Sequence, residues 1–207
     1  ILVENGGGDM DCVKIGRLIA KLRKEQNLTQ KNIADALGIQ SKTISKWECG
    51  LGCPDLSFWP DLSTILGVDM KRLMEGEITP NRPDPGNINK IRFYVCPSCG
   101  NILVSTGSAS IFCCGRKLEQ VIPADSSEVP NITVEEMDID YFITVEHPMT
   151  KEHYLSFAAY VKSDRVYLNR LYPEQSPSFR FPMMHGGKLY VYCTKHGLMT
   201  FPNLVLP

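Results

Sequence analysis

The chain has 207 residues, 43% of them apolar and 22% charged, with a net charge of −1. These values exclude a wholly disordered or collagen-like chain, and the length admits one large domain or two to three small ones. No apolar run approaches the ~20 residues that cross a bilayer, and no segment has the layout of a signal peptide. The expectation is a cytoplasmic protein without membrane contact.

In chain order, residues 1–9 (ILVENGGGD) read as a tag or disordered tail, and residues 10–78 as a first, helical domain. From Val13 to Lys46, eight basic residues (Lys14, Arg17, Lys21, Arg23, Lys24, Lys31, Lys42, Lys46) stand against only Glu25 and Asp35, while the chain beyond Arg92 is near neutral. A basic cluster at one end points to a polyanionic partner there; a solvated helix face is the plainer alternative.

Ile15, Leu18, Ile19 and Leu22 fall on one helical stripe. Thr29 stands as N-cap before QKNIADAL, Gly38 at the tight turn that ends that helix, and Ser41 as cap of KTISKWE. Ile33, Leu37, Ile44 and Trp47 are spaced to bury between these two helices, and Ala34 is small where they cross. Helix, short turn, helix is the helix-turn-helix pattern. Phe58, Trp59, Leu62, Ile65, Leu66, Val68, Leu73 and Met74 supply core for further helices.

These residues resemble the phage repressor/Cro-like (XRE-type) helix-turn-helix family. LTQKNIADALGIQSKTISKWECG, then LSTILGVDMKRLMEG, is similar to its five-helix layout over residues 10–78. The resemblance implies that the helix from Ser41 to Glu48 enters the major groove of double-stranded DNA. Gln40, Ser41, Lys42, Thr43 and Lys46 would then face base edges and phosphates. Gln30 would hold a phosphate through its amide and the helix N-terminus. A bundle kept for protein contacts alone is the alternative, and the basic cluster argues against it. One such helix covers a half-site, so a homodimer is expected.

Residues 79–90 (TPNRPDPGNINK) contain three of the fourteen prolines and read as a linker. In residues 91–122, Cys96, Cys99, Cys113 and Cys114 are bunched; CxxC followed by a second pair reads as a metal site rather than disulfides. Backbone N–H groups of a CxxCG knuckle point at the sulfurs, and four thiolates suit Fe or Zn. Cys12, Cys49 and Cys53 have no such spacing and read as ordinary thiols.

Residues 123–207 read as short strands (Tyr141 to Val145, Tyr154 to Val161, Arg165 to Leu171, Lys188 to Cys193). They predict an immunoglobulin-like β-sandwich, so the whole is a multidomain α + β protein. Three of the four histidines lie in two compact motifs, His147-Pro148-Met149 with His153, and Cys193-Thr194-Lys195-His196. Imidazoles with one thiolate suit Fe(II); a tetrahedral zinc site is the alternative.

The cysteine module resembles desulforedoxin. VEHPMTKEHYLSFAAYV and YCTKHGL resemble the superoxide reductase domain of desulfoferrodoxin, and the two together cover residues 91–207. The resemblance implies Fe at His147, His153, Cys193 and His196, Fe or Zn at the four cysteines, and an oxidant such as superoxide or peroxide as partner. The family's remaining ligand histidine lies in a Lys-His-Val-Pro segment. Here the best match is Ser127-Glu128-Val129-Pro130, which leaves Glu128 as candidate fifth ligand and removes the lysine that draws in an anion. That departure weighs against efficient superoxide reduction, and no catalytic residue is assigned. His185 reads as a surface loop residue.

Three functions follow. The first is a transcriptional regulator with a non-haem iron, oxidant-sensing domain. The second is a superoxide reductase carrying an accessory DNA-binding domain. The third is a zinc-stabilised DNA-binding protein without redox chemistry. The basic head favours the first, and the lost histidine and lysine disfavour the second.

Overall fold

A computed structural model describes residues 10–84, 86–123, 130–162, 164–184 and 186–201. The proposed tail 1–9, Ser127, Glu128 and His185 lie outside the described residues. The chain divides into two compact units, Ile1–Pro80 and Asn81–Pro207. Among the described residues no helix is long and apolar enough to cross a membrane.

The first unit has five helices: α1 (Cys12–Glu25), α2 (Gln30–Leu37), α3 (Ser41–Glu48), α4 (Trp59–Leu66) and α5 (Met70–Glu75). Asp11 caps α1, its carboxylate accepting from the N–H groups of Val13 and Lys14. Thr29 caps α2 in a reciprocal box: its hydroxyl accepts from the Asn32 N–H at 3.1 Å, and Asn32 Oδ1 accepts from the Thr29 N–H at 2.8 Å. Gly38 ends α2 at φ 67°, a left-handed turn that costs glycine nothing.

One cap differs from expectation. Gln40 occupies the N-cap of α3 without a side-chain hydrogen bond, and Ser41 is the first helical residue. Ile15, Ile19, Ile33, Ile44, Trp59, Leu62, Leu66 and Leu73 are fully buried in one core. Each such side chain contributes about 1.5–3 kcal/mol of transfer free energy.

A second correction concerns the cysteines. Cys12 and Cys53 are joined in a disulfide, whereas Cys49 carries a free, exposed thiol. The two bonded residues stand 41 positions apart, so no local spacing marks them. The helical packing brings them together.

The second unit opens with two antiparallel hairpins, β1 (Arg92–Val95) with β2 (Ile102–Ser105) and β3 (Ile111–Cys113) with β4 (Arg116–Leu118). Seven further strands follow: β5 (Ile132–Met137), β6 (Asp140–Val145), β7 (Leu155–Lys162), β8 (Arg165–Arg170), β9 (Ser178–Pro182), β10 (Lys188–Cys193) and β11 (Gly197–Thr200). They form two antiparallel sheets, ordered β5-β6-β9 and β11-β10-β7-β8. Tyr141, Ile143 and Val145 of β6 and Phe179 and Phe181 of β9 share one core with Ala158, Tyr160, Leu189 and Val191 of the other sheet. Strands β5, β9 and β11 were not among the sequence-predicted strands.

Strand β7 is buried along both faces. Its alternate residues Phe157, Ala159 and Val161 turn away from the sandwich core and meet Ile91 and Phe93 of the cysteine module. Phe93 contacts Phe157 at 5.4 Å and Tyr190 at 5.3 Å between ring centroids. That apolar contact seats the small module on the four-stranded sheet.

Candidate functional site

The C-terminal end of α3 is held by an internal ionic network. Arg23 of α1 donates to Glu48, the last residue of α3, through Nε to Oε1 at 2.6 Å and Nη2 to Oε2 at 3.1 Å. Its Nη1 donates to the Leu28 carbonyl at 2.8 Å, and Gln30 of α2 donates its amide to Glu48 Oε2 at 2.8 Å. Burial pushes the Glu48 carboxyl up, but the hydrogen bonds from Arg23 and Gln30 and the charges of Arg23 and Lys24 outweigh it and hold it below its ordinary value. The same bond with Glu48 raises Arg23.

Gln30 spends one amide N–H on Glu48, which ties α2 to the end of α3, and its second N–H is the one left for the expected phosphate contact. Arg23, counted above in the basic cluster, is neutralised within the fold. Gln40, Ser41, Lys42 and Lys46 are exposed and Thr43 is half-buried. Lys42 and Lys46 make no ion pair among the described residues.

In the second unit, the first hairpin presents Cys96 and Cys99 in a knuckle closed by Cys96 N–H to Asn101 O at 2.9 Å and Gly100 N–H to Cys96 O at 2.8 Å. Gly100 adopts φ 67°, and the opposite pair is turned inward by Cys114 at φ 51° and Gly115 at φ 72°. The four sulfurs lie within 4.8 Å of one another, with Cys99–Cys113 at 3.6 Å and Cys113–Cys114 at 3.9 Å. A tetrahedron with metal–sulfur bonds of about 2.3 Å has edges of about 3.8 Å, so the cluster has the size of a tetrathiolate cage.

The protonation of these thiols supports the same reading. The backbone N–H of Cys99 is the main reason that Cys96 falls to about 6. Hydrogen bonds with the Cys99, Cys96 and Cys113 sulfurs push Cys114 up to about 12, with burial and the charge of Cys113 adding to it. A multivalent cation would take the place of the protons these sulfurs share.

The second cluster joins two loops at one end of the sandwich. His147 follows β6, His153 precedes β7, Cys193 ends β10, and His196 stands in the turn to β11. Their ligand atoms lie within 4.8 Å of one another. His147 Nε2 is 3.2 Å from Cys193 Sγ. His153 packs edge-on to His147 and to His196, with centroids at 4.5 and 4.7 Å.

Thr194 ties the two loops. Its Oγ1 accepts from the Tyr154 N–H at 3.2 Å and donates to the Glu152 carbonyl at 3.2 Å, while its N–H donates to the Tyr154 carbonyl at 3.0 Å. A register shift between Tyr192 and Cys193 rotates Cys193 toward the histidines. The sequence reading missed Thr194, whose only mark is its place inside the Cys-to-His spacing.

Three observations fit this donor set to a metal. His153 Nε2 is buried with no hydrogen-bond partner, a costly state that a metal bond would relieve. Desolvation, then the neighbouring His153 and His196, push His147 down to about 4, and desolvation, His196 and Lys195 lower His153. Both imidazoles are therefore neutral, as ligation requires. Cys193 is fully buried, and the Lys195 backbone N–H approaches its sulfur at 3.4 Å.

Comparison with known proteins places both parts. The helix-turn-helix family model (HTH_3) matches residues 19–73. Desulfoferrodoxin of Clostridium acetobutylicum is 31% identical over 118 residues, which cover 53% of this chain and 94% of that protein. The HTH-type transcriptional activator BcrR of Enterococcus faecalis is 34% identical over 83 residues, 37% of this chain and 39% of that protein. The superoxide reductase structure from Treponema pallidum aligns with a TM-score of 0.46 at 20% identity, covering 54% of this chain and 96% of that one. The chain thus belongs to the desulfoferrodoxin family and carries, ahead of that region, a helix-turn-helix DNA-binding domain.

Proposed function

We propose that the chain is a transcriptional regulator whose desulfoferrodoxin-like region holds iron at His147, His153, Cys193 and His196 and responds to a small oxidant such as superoxide or a peroxide. The observation that carries this reading is the convergence of three imidazoles and one buried thiol within 4.8 Å, in a chain that also bears a reading helix. Iron bound by such donors would exchange single electrons, the chemistry that superoxide requires. The chain's own residues prepare the place. Burial shields the Cys193 sulfur, the Lys195 N–H approaches it at 3.4 Å, and exposed His196 leaves one side accessible to a small molecule.

Cys96, Cys99, Cys113 and Cys114 would hold a second metal, Fe or Zn, that fastens the two small hairpins together. Glu128 remains the candidate fifth iron ligand. On the DNA side, Lys42 and Lys46, with Gln40, Ser41 and Thr43, would meet the major groove. Two copies would be needed to place reading helices about 34 Å apart on a two-fold operator.

Membership of the desulfoferrodoxin family supports a second reading, a superoxide reductase with an accessory DNA-binding head. The test is metal content and the visible spectrum of protein purified without air, followed by DNA affinity before and after oxidation. A thiolate-to-ferric band that appears on oxidation, is lost in Cys193→Ser, and accompanies a change in DNA affinity supports the regulator. Superoxide consumption near the diffusion limit with unchanged DNA affinity would establish the reductase instead.

A further inference from the structure

The Cys12–Cys53 bond joins the first residue of α1 to the loop that follows the reading helix. It closes a ring containing all of α1, α2 and α3, the whole helix-turn-helix. The loop lies close against α1: a Cβ placed on Gly50 would be 2.8 Å from Val13 Cγ2 and 3.0 Å from Val13 Cα. The Cα atoms of Cys12 and Cys53 are 4.9 Å apart, within the span a disulfide needs. Both side chains are only partly shielded, so small reagents can reach the sulfurs. The cysteines 49, 96, 99, 113, 114 and 193 remain free, which leaves this pair as the bonded one among the described residues.

We propose that Cys12 and Cys53 form a reversible thiol–disulfide modification site, oxidised by a small hydroperoxide and reduced by a dithiol, that sets how firmly the reading helix is held. In the oxidising direction one thiolate attacks the peroxide oxygen, the O–O bond breaks, and an alcohol or water leaves. The sulfenic acid so formed is attacked by the second thiol, which makes the S–S bond and releases water. Two electrons pass from the sulfurs to the peroxide. In the reducing direction a dithiol becomes a disulfide and returns both thiols. The site shares no residue with either metal cluster and goes beyond the oxidant response assigned above to the β-domain.

A crosslink around three helices removes freedom from the unfolded chain, so its loss lowers the stability of the head and loosens the loop behind α3. The test uses the full chain, treated with hydrogen peroxide or with dithiothreitol, alkylated, and mapped by mass spectrometry. Peroxide should yield a crosslinked Cys12–Cys53 peptide that dithiothreitol reverses. The helical signal of the reduced head should melt about 10 °C or more below that of the oxidised head. Affinity for DNA upstream of its own coding sequence should fall about threefold or more on reduction, because a pre-ordered reading helix binds at lower entropic cost.

Cys12→Ser and Cys53→Ser should abolish the crosslink and the shift in head melting, and Cys49→Ser and Cys193→Ser should retain both. The last variant separates this site from the metal-centred reading. Oxidised and reduced wild-type protein carry the comparison even where a variant fails to fold. The proposal is overturned if peroxide leaves Cys12 and Cys53 free, if Cys49 is found in the bond, or if the bond forms and reverses with neither melting nor affinity changed.

Discussion

Gly16 of α1 sits so close to Trp47 of α3 that a methyl group there would lie 1.9 Å from the Trp47 carbonyl oxygen. The oxygen belongs to backbone and cannot swing aside, so the two helices cross at a distance only glycine permits. This crossing sets the depth at which α3 lies on the domain.

Gly16→Ala should therefore destabilise the head although alanine is the better helix former. Overpacking of about 1–3 kcal/mol or more exceeds the propensity gain of about 1 kcal/mol. Thermal melting followed by the helical signal checks this; an unchanged or raised midpoint would refute the close crossing.

Glu48 and Arg23 form a pair whose side chains are only 8% and 13% exposed. Glu48→Ala leaves the guanidinium without its partner and should cost about 3 kcal/mol. The acid limb of the stability curve gives a second reading. The Glu48 carboxyl is held below its ordinary 4.5, so its contribution is complete above that pH and is lost as pH falls through the lower folded-state value. Wild-type protein should lose stability in that acid window, and Glu48→Gln should lose less across it. Parallel curves for the two proteins would contradict the prediction.

Thr194 links the His153 loop to the Cys193 turn through its hydroxyl and its backbone. Thr194→Val keeps the size and removes the hydroxyl. Metal affinity at the histidine–cysteine site should fall about 10–100-fold, as it does when groups that orient ligands are lost, while the four-cysteine site keeps its metal. Competition with a chelator, read by metal analysis, measures both. Equal retention at both sites would show that backbone pairing alone positions the ligands.

Lys42 and Lys46 are exposed on α3 and make no ion pair among the described residues. Replacing both by alanine should weaken DNA binding at fixed salt, by about 1–3 kcal/mol if either reads a base with two hydrogen bonds. A shallower dependence of affinity on salt should accompany the loss, since fewer counterions are released. Wild-type affinity in the double variant would remove α3 from the interface.

Much of this protein is settled by local sequence. Thr29 and Gly38 set the bounds of α2 because caps and left-handed turns need particular side chains within a few residues of one another. CxxC and Cys-x-x-His place two ligands on one turn, so half of each metal cluster is legible from spacing. Tyr141, Ile143 and Val145, alternating along β6, likewise declare a strand with one buried face.

Other features depend on contacts between residues far apart in the chain. Strand β7 has no alternation to read, because the cysteine module covers the face that would otherwise meet water. The Gln30 amide and Glu48 stand 18 positions apart, and only packing joins them. Cys12 and Cys53 look like unrelated thiols until the crossing of α1 and α3 closes the separation of 41 positions. In each case the deciding partner is brought near by burial of the core, a long-range free energy that local spacing does not encode.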